Sequence, residues 1–191
     1  MTGRTHDLIG FASLITVAVA TPSLSLNIET LVVSIVGNVV GSLIPDMDQG
    51  TNKLWDLLPA GNFVAKFGRK IFYKHRTITH SILGGYLLFI FLKFIIPKIF
   101  NPNFVDPQIV IISIMIGFVA HLVADSLTRE GLPLFFPFKF KIGFPPIETL
   151  RIPTGGIIEH FIVLPGTAIY IIWLFINNKD KILSIAKLLH K

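Results

Sequence analysis

The stretch QIVIISIMIGFVAHLVADSL, residues 108–127, runs twelve residues beyond Gln108 before it meets a titratable side chain, His121, and then places Asp125 four residues later. A helix needs about 20 residues to cross the hydrocarbon core of a bilayer. Few chains carry such a stretch unless it is buried in lipid or protein. Four more apolar stretches are comparable: Leu8 to Leu26, Ile28 to Ile44, Ile82 to Ile99 and Ile157 to Ile176. The prediction is an all-α, polytopic membrane protein of about five transmembrane helices. It forms a single domain over 1–191, with 47–80 and 128–156 as loops on one side and 178–191 as a basic tail. Apolar residues make up 52% of the 191, charged residues only 15%, and the mean hydropathy is +0.70, too little polar surface for a soluble domain of this size. The net charge of +6 lies beside apolar runs, which fits lipid headgroups rather than nucleic acid.

The first stretch also fits a cleaved signal peptide ending at the AVA of 18–20, but its single Arg4 and its Asp7 argue for a retained helix. Asp7 itself reads as a solvated carboxylate at a helix start. On the five-helix path, the side that holds Arg4 also holds Lys53, Lys66, Arg69, Lys70, Lys74, Arg76, Arg129, Lys139, Lys141 and Arg151, eleven basic residues against six on the other. The positive-inside rule then places that side in the cytoplasm of a plasma or inner membrane.

The unexpected polar residues gather on this same side. His6 precedes the first helix, Asp46 and Asp48 follow the second, His75 and His80 precede the third, His121 and Asp125 close the fourth, and Glu159 with His160 opens the fifth. Charge in an apolar helix costs several kcal/mol unless it is paired or ligated. The four-residue spacing of His121 and Asp125 puts both on one helix face. Pro45 turns the chain out of helix two beside Asp46 and Asp48. His160 points elsewhere around its helix, which leaves Glu159 as the inward residue of that pair. The chain has no cysteine, so a metal site must use nitrogen and oxygen donors, which suit zinc, with manganese or iron fitting the same set. The candidate ligands are His6, Asp46, Asp48, His75, His80, His121, Asp125 and Glu159. Arg76, Arg129 and Arg151 are candidates to hold an anionic substrate.

The elements RTHDLIGF (4–11), GSLIPDMDQG (41–50), KHRTITHS (74–81) and GFVAHLVADSLTREGLPLFFPF (117–138) together resemble the YdjM-like family of bacterial and archaeal membrane-bound, metal-dependent hydrolases. That family is considered distantly similar to zinc-dependent phospholipase C and P1-type nucleases. The resemblance implies a helical phosphoesterase site with two or three metal ions. On the residues themselves, Asp46 or Asp48 is the candidate to orient or deprotonate a water and Arg76 to hold a phosphate oxygen, and a loop 131–153 at headgroup level favours a lipid or lipid-linked phosphoester.

The loop 131–153 mixes Phe, Pro and Lys. It reads as an interfacial loop or as a lid over the site, and the alternation over 139–142 hints at a short strand. The rival reading of the whole chain is a divalent metal-ion transporter, or a metal-binding membrane protein without catalysis. Against transport, the half of each helix far from the cluster is nearly all apolar, with Asn38 the main exception.

Overall fold

The computed structural model describes residues 1–21, 26–48 and 77–182. Five helices carry the fold: α1 (Gly3–Ala20), α2 (Ile28–Leu43), α3 (Ile82–Ile99), α4 (Pro107–Ser126) and α5, which opens with a π-helical turn (Glu159–Val163) and continues as Leu164–Asn177. Short 3-10 turns sit at Pro45–Asp48, Ile78–His80 and Glu148–Leu150. Among the described residues there is no strand. The strand expected near 139–142 is reduced to an isolated bridge between Leu132 and Ile142, with a second between Thr128 and Ile152.

The helix starts are set by side chains that take up orphan backbone N–H groups. Asn27 accepts from Thr30 N (2.9 Å), Ser81 from Gly84 N (3.0 Å) and Asp106 from Gln108 N (2.8 Å), with Pro107 in the first turn where its missing N–H costs nothing. Pro165 sits where the π turn of α5 gives way to α-helix, a junction that tolerates a residue unable to donate.

Among the described residues, three helices have the length and apolarity to cross a bilayer: α3, α4 and the 19-residue Glu159–Asn177. The five spans expected from sequence are therefore three by this measure. α2 is apolar but only 16 residues long, and the first turn of α1 is polar because it belongs to the site described below.

Packing centres on α4. A Cβ added at Gly41 of α2 would lie 2.0 Å from the Ile114 carbonyl oxygen, and one at Gly117 of α4 would lie 2.1 Å from that of Asn38. The two backbones touch where they cross, as small residues allow in apolar surroundings that give side chains no hydrophobic drive to associate. This crossing sets the end of α2, and the Asp46 turn that follows it, against the last two turns of α4. Helix α4 also packs Val110, Ile111, Ile114, Phe118 and Leu122 into apolar clusters with α3 residues Leu92 and Ile96 and with Leu132. Val110 and Ile114 lie against Gly37 of α2 as well.

Candidate metal centre

Four elements deliver the site. α1 supplies His6, the turn after α2 supplies Asp46, the turn before α3 supplies His80, and α4 supplies His121 and Asp125. His6, His80, His121 and Asp125 are each at most 1% exposed, while the Asp46 side chain is 21% exposed and is the cluster's contact with the outside among the described residues.

The distances define a set of donors. His80 Nε2 lies 3.4 Å from Asp46 Oδ1 and 3.8 Å from Asp125 Oδ2. His121 Nε2 lies 3.7 Å from Asp46 Oδ1 and 3.8 Å from Asp125 Oδ2. Donors held about 2.1 Å from a tetrahedral zinc are separated by about 3.4 Å, so these four imidazole–carboxylate gaps are of the size that ligands sharing an ion require, slightly expanded. Among the described residues, two groups bring their ligand atoms within reach of one another: His80, His121 and Asp125; and His6, Asp46 and His121.

The tautomer of His121 is fixed by the fold. Its Nδ1 lies 2.7 Å from the Ser42 carbonyl oxygen, an acceptor only, so Nδ1 carries the proton and Nε2 presents a lone pair to the carboxylates. That Nε2 is buried and has no hydrogen-bond partner, and neither has His6 Nδ1. Orphaned buried nitrogens are costly, and a divalent ion accepted by these donors removes that cost. The residues fit a metal.

Asp125 faces two ways. Its Oδ2 belongs to the set above, while Oδ1 lies 3.1 Å from His6 Nε2 and accepts from the Met1 ammonium at 2.5 Å. The His6 ring stacks on His121 with centroids 3.7 Å apart and planes 9° from parallel, which a pair of protonated imidazoles would resist. Burial works to raise the Asp46 carboxyl. The His80 hydrogen bond and the nearby His121, His80 and His6 outweigh it and hold the group at about 2, ionised at neutral pH.

Other expected site residues sit elsewhere. Glu159 is fully buried and accepts from Thr2 N (2.6 Å), Thr2 Oγ1 (2.7 Å), Thr5 Oγ1 (2.6 Å) and Gly155 N (2.8 Å), so its oxygens fasten the start of α5 to the start of α1 and take no part in either donor group. His160 is exposed, as the helix geometry requires. Arg151 is spent on its own loop: Nε donates to the Pro145 carbonyl (2.7 Å) and Nη2 to that of Pro146 (2.9 Å). Arg129 is exposed, and its backbone N–H donates to Ile152. Asp7 is half-buried and accepts from Ser42 Oγ (3.3 Å), where a solvated carboxylate is expected. His75 and Arg76 lie outside the described residues, as does 183–191 of the basic tail, and Asp48 is described only as the end of its 3-10 turn.

Sequence reasoning missed Ser42, Thr2 and Thr5. Ser42 acts on His121 through its main chain, which leaves no signal in residue type. The two threonines offer only ordinary helix-start hydroxyls.

The fold and site define a class: an all-helical membrane protein with a buried histidine and aspartate cluster, able to hold a metal ion, at one end of its helices. The chain belongs to the YdjM inner membrane protein family, whose model matches residues 1–183. It is 30% identical over 163 residues to YvsG of Bacillus subtilis (strain 168), covering 85% of this chain and 88% of that protein. It is 25% identical over 138 residues to the inner membrane protein YdjM of Escherichia coli (strain K12), covering 71% of this chain and 63% of the relative, and matches the Shigella flexneri YdjM to the same extent. No solved structure matches.

Proposed function

We propose that this chain is a multi-pass, metal-dependent hydrolase that cleaves a phosphoester of a lipid or lipid-linked substrate. α1 and α2 complete five crossings, and the cluster faces the cytoplasm, as the eleven-to-six distribution of basic residues favours. The observation that carries the reading is that His80 Nε2 and His121 Nε2 each lie 3.4–3.8 Å from Asp46 Oδ1 and from Asp125 Oδ2 where α4 ends. His6 and the second oxygen of Asp125 would offer donors to a further ion. This supports two ions, and Asp48 and His75 would add donors for a third. Zinc is the first candidate, and manganese and iron suit the same donors.

A divalent ion held there supplies a water acidic enough to deprotonate near neutral pH and a positive charge for a phosphoryl oxygen. The protein does the rest. The Ser42 carbonyl keeps His121 in one tautomer. Burial of His6, His80, His121 and Asp125 excludes bulk water. Asp46, ionised and partly exposed, gives the cluster its contact with the outside and can accept a hydrogen bond that orients a water there. Arg76 remains the arginine of choice for a phosphate oxygen, since Arg151 is engaged with backbone oxygens.

The test is metal content by elemental mass spectrometry on detergent-purified protein beside an Asp46→Ala, His80→Ala double variant, followed by release of phosphate or phosphorylated headgroup from lipid phosphates with and without chelator. Two or three ions per chain, lost in the variant, with chelator-sensitive turnover, support the proposal. Metal-free fresh protein refutes it. Bound metal with no turnover across phosphoesters leaves a metal-binding membrane protein and removes the hydrolase.

A further inference from the structure

The chain that follows α4 turns back on itself as a short finger. Leu132 and Ile142 face each other across its base, each N–H donating to the other's carbonyl (2.7 and 2.8 Å), and residues 133–141 form the tip. Leu132 is fully buried and shares a cluster with Phe118 and Leu122 of α4, and Leu134 packs against the same cluster. Main-chain bonds fasten the finger to two helices. The Leu134 carbonyl accepts from the Ile82 N–H at the start of α3 (3.0 Å), and the Phe144 N–H donates to the Ser126 carbonyl at the end of α4 (2.8 Å). A lid has to swing on free ends, and neither end of this finger is free.

The tip presents a surface that suits lipid better than water. Phe135, Phe138 and Phe140 are 48%, 65% and 54% exposed, and their rings lean together, with centroids 5.9 Å apart for Phe135 and Phe140 and 6.2 Å for Phe138 and Phe140. Exposed apolar clusters mark contact surfaces. Lys139 and Lys141 alternate with these rings and are exposed, and no carboxylate occurs between Leu132 and Ile142. Rings with interleaved ammonium groups match the edge of a bilayer, where aromatic side chains sit at headgroup level and lysines meet anionic lipid. The place in the fold agrees. Ile82, whose N–H the finger holds, is 57% exposed, and Tyr86 one turn further along α3 is 61% exposed, on a helix able to cross a bilayer.

We propose that the tip 133–141 is a fixed anchor, which sets Phe135, Phe138 and Phe140 into the leaflet on the cluster side and holds anionic lipid headgroups with Lys139 and Lys141. The finger is fastened at Ser126, the residue after Asp125, so the anchor fixes the depth of the cluster in the membrane. This inference does not depend on hydrolysis.

The native chain has no cysteine, so single cysteines carry a fluorophore without background. Phe138→Cys and Phe140→Cys are labelled in vesicles of equal phosphatidylcholine and phosphatidylglycerol, with bromine on the acyl chains of one lipid or the other. Bromine quenches only a fluorophore that touches the chains. Phe91→Cys, 59% exposed at the middle of α3, marks lipid, and exposed Glu130→Cys marks water. Both tip positions are expected to be quenched, with a preference of roughly tenfold for brominated phosphatidylglycerol that falls towards parity when Lys139→Gln and Lys141→Gln are added. Quenching no greater than at Glu130→Cys places the tip in water or under protein. Equal quenching by the two lipids before the lysines are changed leaves them without an anionic partner. Either result overturns the proposal.

Discussion

Helices α4 and α5 have nearly the same length and hydropathy, yet they are opposites. Of the apolar window of α4, 56% is buried within the protein, against 11% for the window from Glu159 to Asn177. α4 touches the backbone of α2 through Gly117 and ends in two site residues. α5 leaves Phe161, Ile162, Ile169, Ile172 and Ile176 each at least 57% exposed. The difference shows that hydropathy identifies what can sit in a bilayer but not what faces it. An apolar helix in the middle of a bundle and one at its edge read alike. What separates them is small residues at the crossing and polar residues that would be ruinous in lipid.

Paired substitutions break this contrast most severely. Gly117→Leu has to displace a carbonyl already 2.1 Å from where its Cβ would stand, and should cost about 4 kcal/mol or more, seen as loss of monodisperse folded protein in detergent. Gly166→Leu in α5, with nothing within 4 Å of its added Cβ, should change thermal stability by less than about 0.5 kcal/mol. Equal effects would mean that α5 is packed against a partner.

Asp125→Ala comes next. It leaves His6, His121 and the Met1 ammonium facing a buried void and should lower stability by about 3–5 kcal/mol while abolishing stoichiometric metal, measured by thermal unfolding and elemental analysis. Glu159→Gln sharpens the division between ligand and fastener. A neutral amide cannot accept four donors as strongly, so stability should fall by about 1–3 kcal/mol with metal content intact. Loss of metal in this variant would make Glu159 a ligand after all. Arg151→Lys should have the smallest effect, about 1 kcal/mol from the lost fork to the Pro145 and Pro146 carbonyls, with the KM for a phosphoester substrate unchanged.

Much of this was legible in the sequence. The helical membrane class followed from run lengths, and His121 with Asp125 followed from their spacing. The gathering of His6, Asp46 and His80 around that pair followed from placing each at the same end of an antiparallel path. Glu159 was harder. A buried acid at a helix start looks the same whether its partners are metal ions or hydroxyls, and Thr2 and Thr5 lie more than 150 positions away. Arg151 was ambiguous for a similar reason, because its acceptors are main-chain oxygens of two prolines, and main-chain oxygens carry no sequence mark. The polar face of α2, formed by the buried Thr30, Ser34, Asn38 and Ser42, was present at four-residue spacing, but four small residues scattered among valines and isoleucines scarcely lower the hydropathy of the helix. Only the packing of α1 and α4 over them shows that they face inward.

The most direct test of the central claim is X-ray absorption spectroscopy at the zinc edge on the loaded protein, beside Asp125→Ala. The expected spectrum shows about four light-atom neighbours at about 2.0–2.2 Å with the outer-ring scattering of two imidazoles, lost in the variant. A first shell without imidazole, or one that Asp125→Ala leaves unchanged, would contradict the assignment of His80, His121, Asp46 and Asp125 as a metal centre.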